Sequence, residues 1–129
     1  LLPLMKPRSS AISGVYGEQR VFNGVPKSKH GGVDFRGAVG EPIYCVADGK
    51  VILAADFYYN GRFVFVDHGQ GVISTYLHMS EIIAKEGDDV KKGDLLGKVG
   101  ATGRVTGPHL HFSLFVPGVG VDPMPLFGE

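Results

Sequence analysis

Short apolar runs, cut by glycine and proline, set the rhythm of this chain. Residues 33–35, 42–47, 50–54, 63–67, 72–78, 95–99 and 110–116 alternate or cluster apolar side chains over strand lengths, with turn residues between them. In the last of these, Leu110, Phe112 and Leu114 alternate toward a core. Asn60-Gly61, between 54–58 and 62–66, is the strongest hairpin turn signal. No long stretch keeps the period of about 3.6 residues that an amphipathic helix needs. Residues 80–85 allow one helical turn or two, with Ser80 as the cap. Twenty glycines and eight prolines complete the pattern of an all-β domain. The first dozen residues, with two prolines and a Ser-Ser pair, read as a peripheral arm. The arm is assigned to 1–15 and the domain to 16–129.

Composition narrows the picture by exclusion. A chain of 129 residues is one domain with one hydrophobic core. Thirteen basic and thirteen acidic residues cancel, and no basic stripe of a nucleic-acid binder is visible. Apolar residues make up 43% of the chain, yet their runs are too short for a membrane span. The single cysteine, Cys45, excludes an intramolecular disulfide and a multi-thiolate metal site. Its neighbours Ile43, Tyr44 and Val46 mark it as a small buried hydrophobe. The chain opens Leu-Leu-Pro-Leu without the features of a signal peptide, as expected of a mature product or a fragment of something longer.

The candidate chemistry lies in five histidines. His30 and Asp34 are separated by Gly31-Gly32-Val33, and the paired glycines disfavour a helix. On a strand, His30, Gly32 and Asp34 line one side, with Val33 and Phe35 on the other. Alone, this spacing is a weak metal signal, and a hydrogen-bonded pair in a surface turn is its plainer reading. His109 and His111 share a strand face about 6.6 Å apart, so one imidazole can bind a metal while the other stands beside it. An exposed polar strand face is the plain alternative. His78 ends 72–78 on the face of Ser74 and Tyr76, suited to giving or taking a proton or to an inert hydrogen bond. His68, in the Asp67-His68-Gly69 turn, reads as structural.

The segment 48–51, followed by 86–99, has the cadence of biotinyl- or lipoyl-type barrels and of glucose-permease phosphocarrier domains. It favours a barrel-like, two-layer β sandwich.

Taken together, the motifs resemble the lysostaphin-type zinc endopeptidases, the M23 peptidase family. The shared residues are Tyr16-Gly17, Arg20-Val21-Phe22-Asn23-Gly24, His30-Gly31-Gly32-Val33-Asp34-Phe35, Asp48-Gly49-Lys50-Val51 and His68-Gly69. They continue with Thr75-Tyr76-Leu77-His78-Met79, then Thr102-Gly103-Arg104-Val105-Thr106-Gly107-Pro108-His109-Leu110-His111-Phe112, and Val121-Asp122-Pro123. The resemblance covers nearly the whole chain past residue 15. It implies a two-layer antiparallel β sandwich or barrel-like domain of the duplicated hybrid motif type, with a groove across one sheet.

The resemblance also implies a set of roles. One Zn2+ is held by His30, Asp34 and His111, with His78 and His109 as unliganded catalytic imidazoles. Sequence physics alone does not choose between His109 and His111 as the ligand. The implied substrate is the peptide stem of bacterial peptidoglycan, in a periplasmic or extracellular, cell-envelope setting; the oligomeric state is left open, with a monomer favoured. The Arg20–Gly24 style of entry resembles Gram-negative members, which points to the D-alanyl–diaminopimelate bond. Two features depart from the family. Phe22, Asn23 and Gly24 stand where some relatives carry a tyrosine, and Ser113 stands where an acid that could orient an imidazole is common. Two other classes compete with the enzyme reading. One is a non-enzymatic LytM-like activator of a cell-wall amidase, whose kind typically loses ligands kept here. The other is a phosphocarrier or biotinyl-type carrier, which leaves Asp34 unexplained.

Overall fold

The computed structural model of the chain describes residues 2–10, 12–17, 19–22, 25–29, 31–103, 107–117 and 119–128, giving strand pairing without side chains for 19–22 and 25–29. Twelve strands are formed among them: β1 Ile12–Gly14, β2 Gln19–Phe22, β3 Val25–Lys29, β4 Val33–Arg36, β5 Pro42–Tyr44 and β6 Gly49–Phe57, then β7 Gly61–Asp67, β8 Ile73–Ile82, β9 Asp89–Val90, β10 Leu95–Val99, β11 His109–Val116 and β12 Val119–Val121. A short 3-10 turn, Met124–Leu126, is the sole helical element of the described residues. None of their helices is long and apolar enough to cross a membrane.

Ten strands make one antiparallel sheet whose main path runs β1-β4-β11-β8-β7-β6-β9. Strand β10 bridges β5 and β8, β12 flanks β11, and β2–β3 is a separate hairpin. Period-2 alternation explains which face each strand buries. Val33 and Phe35 of β4, with Leu110, Phe112 and Leu114 of β11, are fully or almost fully buried in one apolar cluster. The rings of Phe35 and Tyr76 meet Phe112 edge-on, at centroid distances of 6.5 and 5.3 Å. This core holds β4, β11 and β8 side by side. Their opposite face carries Asp34, His109 and His111.

The hairpin expected at Asn60-Gly61 joins β6 to β7, with Phe57 opposite Gly61 and Gly61 at φ 64°. Cys45 is buried, its thiol donates to the Ala47 carbonyl, and burial raises its pKa. The helical turn allowed at 80–85 does not form. Strand β8 runs on through Ile82, pairing Glu81 with Lys98 and Ile82 with Gly97 of β10. A neighbouring strand satisfies that backbone, and the chain turns only at Lys85, whose N–H donates to the Asp88 carboxylate. The first residues, expected as a peripheral arm, lie along the domain. Leu4 is 1% exposed, Arg8 Nε donates to the Arg36 carbonyl at 2.8 Å, and β1 pairs with β4.

Candidate active site

Strands β4 and β11 set the first half of the site. Their register places His111 directly opposite Asp34 and His109 opposite Arg36. Directly opposed residues on an antiparallel pair share a face, so the carboxylate and both imidazoles converge. Asp34 Oδ1 lies 2.9 Å from His111 Nδ1 and 3.6 Å from His109 Nε2. His109 Nδ1 is 3.0 Å from the Gly107 carbonyl, which can only accept, so that nitrogen carries the proton. Nε2 is therefore the unprotonated nitrogen of a neutral His109, and it faces Asp34. On its other ring edge, His111 Nε2 lies 3.1 Å from Ser113 Oγ.

His78 reaches the same place by a different route. Between the pairs Arg62–Met79 and Val64–Tyr76, Leu77 and His78 of β8 stand against Phe63 alone on β7. This two-against-one bulge puts His78 at φ 65°, in the left-handed region that a bulky residue enters only when its surroundings hold it there. Those surroundings are specific. The His78 N–H donates to the Asn60 carbonyl at 2.9 Å, and Nδ1 donates to the Thr102 carbonyl at 2.8 Å. Thr102 is itself clamped, since its hydroxyl donates to the Met79 carbonyl and accepts from the Arg62 N–H. A Cβ on Gly103 would stand 2.4 Å from the Gly61 nitrogen, so glycine is required for the two loops to touch.

The His78 ring ends 5.3 Å from that of His109 and 6.2 Å from that of His111, centroid to centroid. Burial, more than any other influence, depresses its pKa from 6.5 to about 4. At neutral pH it is an uncharged imidazole, protonated on Nδ1, with Nε2 left for proton transfer.

The residues expected to act together are thus brought together, as far as they are described. Asp34, His111, His109 and His78 form one cluster, whereas His30 lies outside the described residues, as do Asn23 and Gly24. Among the described residues no group of three His, Cys, Asp or Glu side chains is disposed to hold a metal ion. Asp34 and His111 nonetheless offer a carboxylate oxygen and an imidazole nitrogen, a donor pair that suits zinc. His68 stands apart. Its ring nitrogens meet the Asp48 carbonyl at 2.8 Å and Ser74 Oγ at 2.7 Å, tying the 48 loop to β8. Sequence reasoning gave no role to Thr102 or Asn60. The matched Thr102-Gly103 and the turn at Asn60-Gly61 were the available signals.

Comparison with known proteins agrees with this geometry. The description of peptidase family M23 matches residues 28–123. A peptidoglycan DD-endopeptidase of Vibrio cholerae, ShyA, is 43% identical over 95 residues, which are 74% of this chain and 22% of that protein. The chain therefore spans about a fifth of the length of that relative. A zinc-containing peptidase from Vibrio cholerae superposes with a TM-score of 0.90 at 34% identity, over 96% of this chain and 40% of the other. The catalytic domain of the antimicrobial peptidase lysostaphin from Staphylococcus simulans gives 0.78 at 33% identity, over 90% of each chain. This chain belongs to peptidase family M23.

Proposed function

We propose that the domain is a zinc-dependent endopeptidase that hydrolyses peptide cross-links in bacterial peptidoglycan, at the cell envelope outside the cytoplasm. Zinc would be held by His30, Asp34 and His111, with His78 and His109 moving protons. The observation that carries the reading is the convergence of Asp34 Oδ1 and His111 Nδ1, 2.9 Å apart, with two further imidazoles on the same face. A carrier domain has no use for that arrangement. When bound, zinc would polarise the scissile carbonyl and make water acidic enough to be deprotonated near neutrality.

The chain's own groups handle the protons. His109 Nε2, on the side of Asp34, takes a proton from water and returns it to the leaving amine. His78 is uncharged at neutral pH and its Nδ1 proton is committed to Thr102, so at Nε2 it accepts. It therefore shares the base role, and it can donate to an oxyanion only after gaining a proton. Likeness to a DD-endopeptidase favours a bond between two D-centres, such as D-alanyl–diaminopimelate. The test is to incubate the zinc-loaded domain with cross-linked sacculi and follow dimeric muropeptides by mass spectrometry. Conversion to monomers, abolished by a chelator, is expected. Unchanged dimers with cleavage of pentaglycine would move the activity to another bond, and no cleavage of either would refute the reading.

A further inference from the structure

The face of β11 that carries His109 and His111 bears a third polar side chain two residues on. Ser113 is 5% exposed, and its Oγ lies between two partners, 3.1 Å from His111 Nε2 and 2.9 Å from the Gly31 carbonyl oxygen. A carbonyl has no proton to give, so the hydroxyl proton of Ser113 goes to Gly31. Ser113 Oγ must then accept from His111, which places the imidazole proton on Nε2. Nδ1 keeps its lone pair and is aimed at Asp34 Oδ1, 2.9 Å away. Two acceptors so close repel unless a cation or a second proton lies between them. The hydrogen-bond chain thus presents His111 Nδ1 and Asp34 Oδ1 as a pair of donor atoms for one cation.

The surrounding backbone is shaped for this chain. A Cβ on Gly32 would stand 2.3 Å from the Phe112 carbonyl oxygen, 2.5 Å from Ser113 Oγ and 2.8 Å from His111 Nε2. Only glycine at 32 lets the Gly31–Asp34 segment lie so close to β11. An acid at 113 would accept from Nε2–H but, when ionised, would repel the Gly31 carbonyl. A hydroxyl accepts from one partner and donates to the other.

We propose that Ser113 is a positioning residue: it fixes His111 as the Nε2–H tautomer with Nδ1 presented beside Asp34, and through the Gly31 carbonyl it pins the segment joining His30 to Asp34. The proposal rests on the zinc reading above, because it concerns how this chain offers its donors. Partners that orient a ligand histidine typically govern metal affinity by about 10–100-fold.

The test compares wild type, Ser113→Ala and Ser113→Thr, each shown to be folded by circular dichroism. Zinc affinity is measured by competition with a chromophoric chelator, and the histidine tautomers by long-range 1H–15N correlation spectra with and without zinc. Wild type should show His111 protonated on Nε2 in both spectra. Ser113→Ala should still take up one zinc but about 10–100-fold more weakly, with the His111 tautomer mixed when metal-free. Ser113→Thr, which keeps the hydroxyl, should recover most of the affinity. Wild-type affinity in Ser113→Ala, or His111 protonated on Nδ1 with Nε2 bare in metal-free wild type, would overturn the proposal. If wild type bound no zinc, the zinc reading would fail, and the metal-free tautomer would still decide the role of Ser113.

Discussion

Burial of His78 has a consequence for acid stability that can be worked out from its pKa. The ring titrates at about 4 in the fold, against 6.5 when solvated. Between those values the unfolded chain binds a proton that the native state refuses, so stability rises with pH. The contribution is complete above about pH 6.5 and is lost as pH falls toward about 4. Every tenfold difference in proton affinity is worth about 1.4 kcal/mol, so acidification from neutrality to about pH 4 should cost about 3 kcal/mol through this one ring. That is a large fraction of the roughly 5–15 kcal/mol by which domains are typically stable. The control is His78→Asn, because asparagine tolerates the left-handed backbone at φ 65° and does not titrate. His68, whose pKa burial also lowers, is present in both proteins and cancels in the comparison. Urea unfolding of the metal-free proteins across this range should show wild type losing about 3 kcal/mol more than the variant. An NMR titration of the His78 ring should give a midpoint near 4. Parallel loss in the two proteins, or a midpoint at 6.5 or above, would refute the reasoning.

Three further outcomes are expected. His109→Ala should keep its zinc by metal analysis while cross-link cleavage falls by roughly a hundredfold to ten-thousandfold, as loss of a proton-transfer group does. Gly32→Ala would drive a Cβ to 2.3 Å from the Phe112 carbonyl oxygen. It should therefore cost about 1–3 kcal/mol in urea unfolding and weaken zinc binding as well. Phe112→Ala, by emptying the centre of the aromatic cluster beneath the site, should cost about 3–5 kcal/mol.

Much of the scaffold was legible because period-2 alternation is local. Leu110, Phe112 and Leu114 face the core, and that alternation alone puts His109 and His111 together on the other side. The turn at Asn60-Gly61 was legible for a local reason too, since Gly61 supplies the left-handed φ of 64° that closes the loop of Tyr58, Tyr59 and Asn60 against Phe57. What the pattern hid was non-local. The end of β8 looks like a helical turn until β10 is there to pair with it. Leu4 and Arg8 look like an arm until the carbonyls of Leu126 and Arg36 are placed beside them.

Within the site, the identity of the cluster could be read from its motifs, but its proton arrangement could not. That arrangement depends on carbonyls: Thr102 for His78, Gly107 for His109, and Gly31, through Ser113, for His111. Backbone acceptors leave no mark on residue type. Ser113 reads as a loss where an acid is common in the family. Its second hydrogen bond, to Gly31, is visible only once β4 and β11 are side by side.

The central claim is that Asp34 and His111 hold a zinc ion flanked by two unliganded histidines. Anomalous diffraction at the zinc absorption edge, from crystals of the zinc-loaded domain, tests it most directly. The account predicts one peak at about 2.0–2.2 Å from both Asp34 Oδ1 and His111 Nδ1, with His30 as the third protein ligand and His78 and His109 outside bonding distance. A peak bonded to His109 Nε2 in place of His111, or no peak near Asp34, would contradict it.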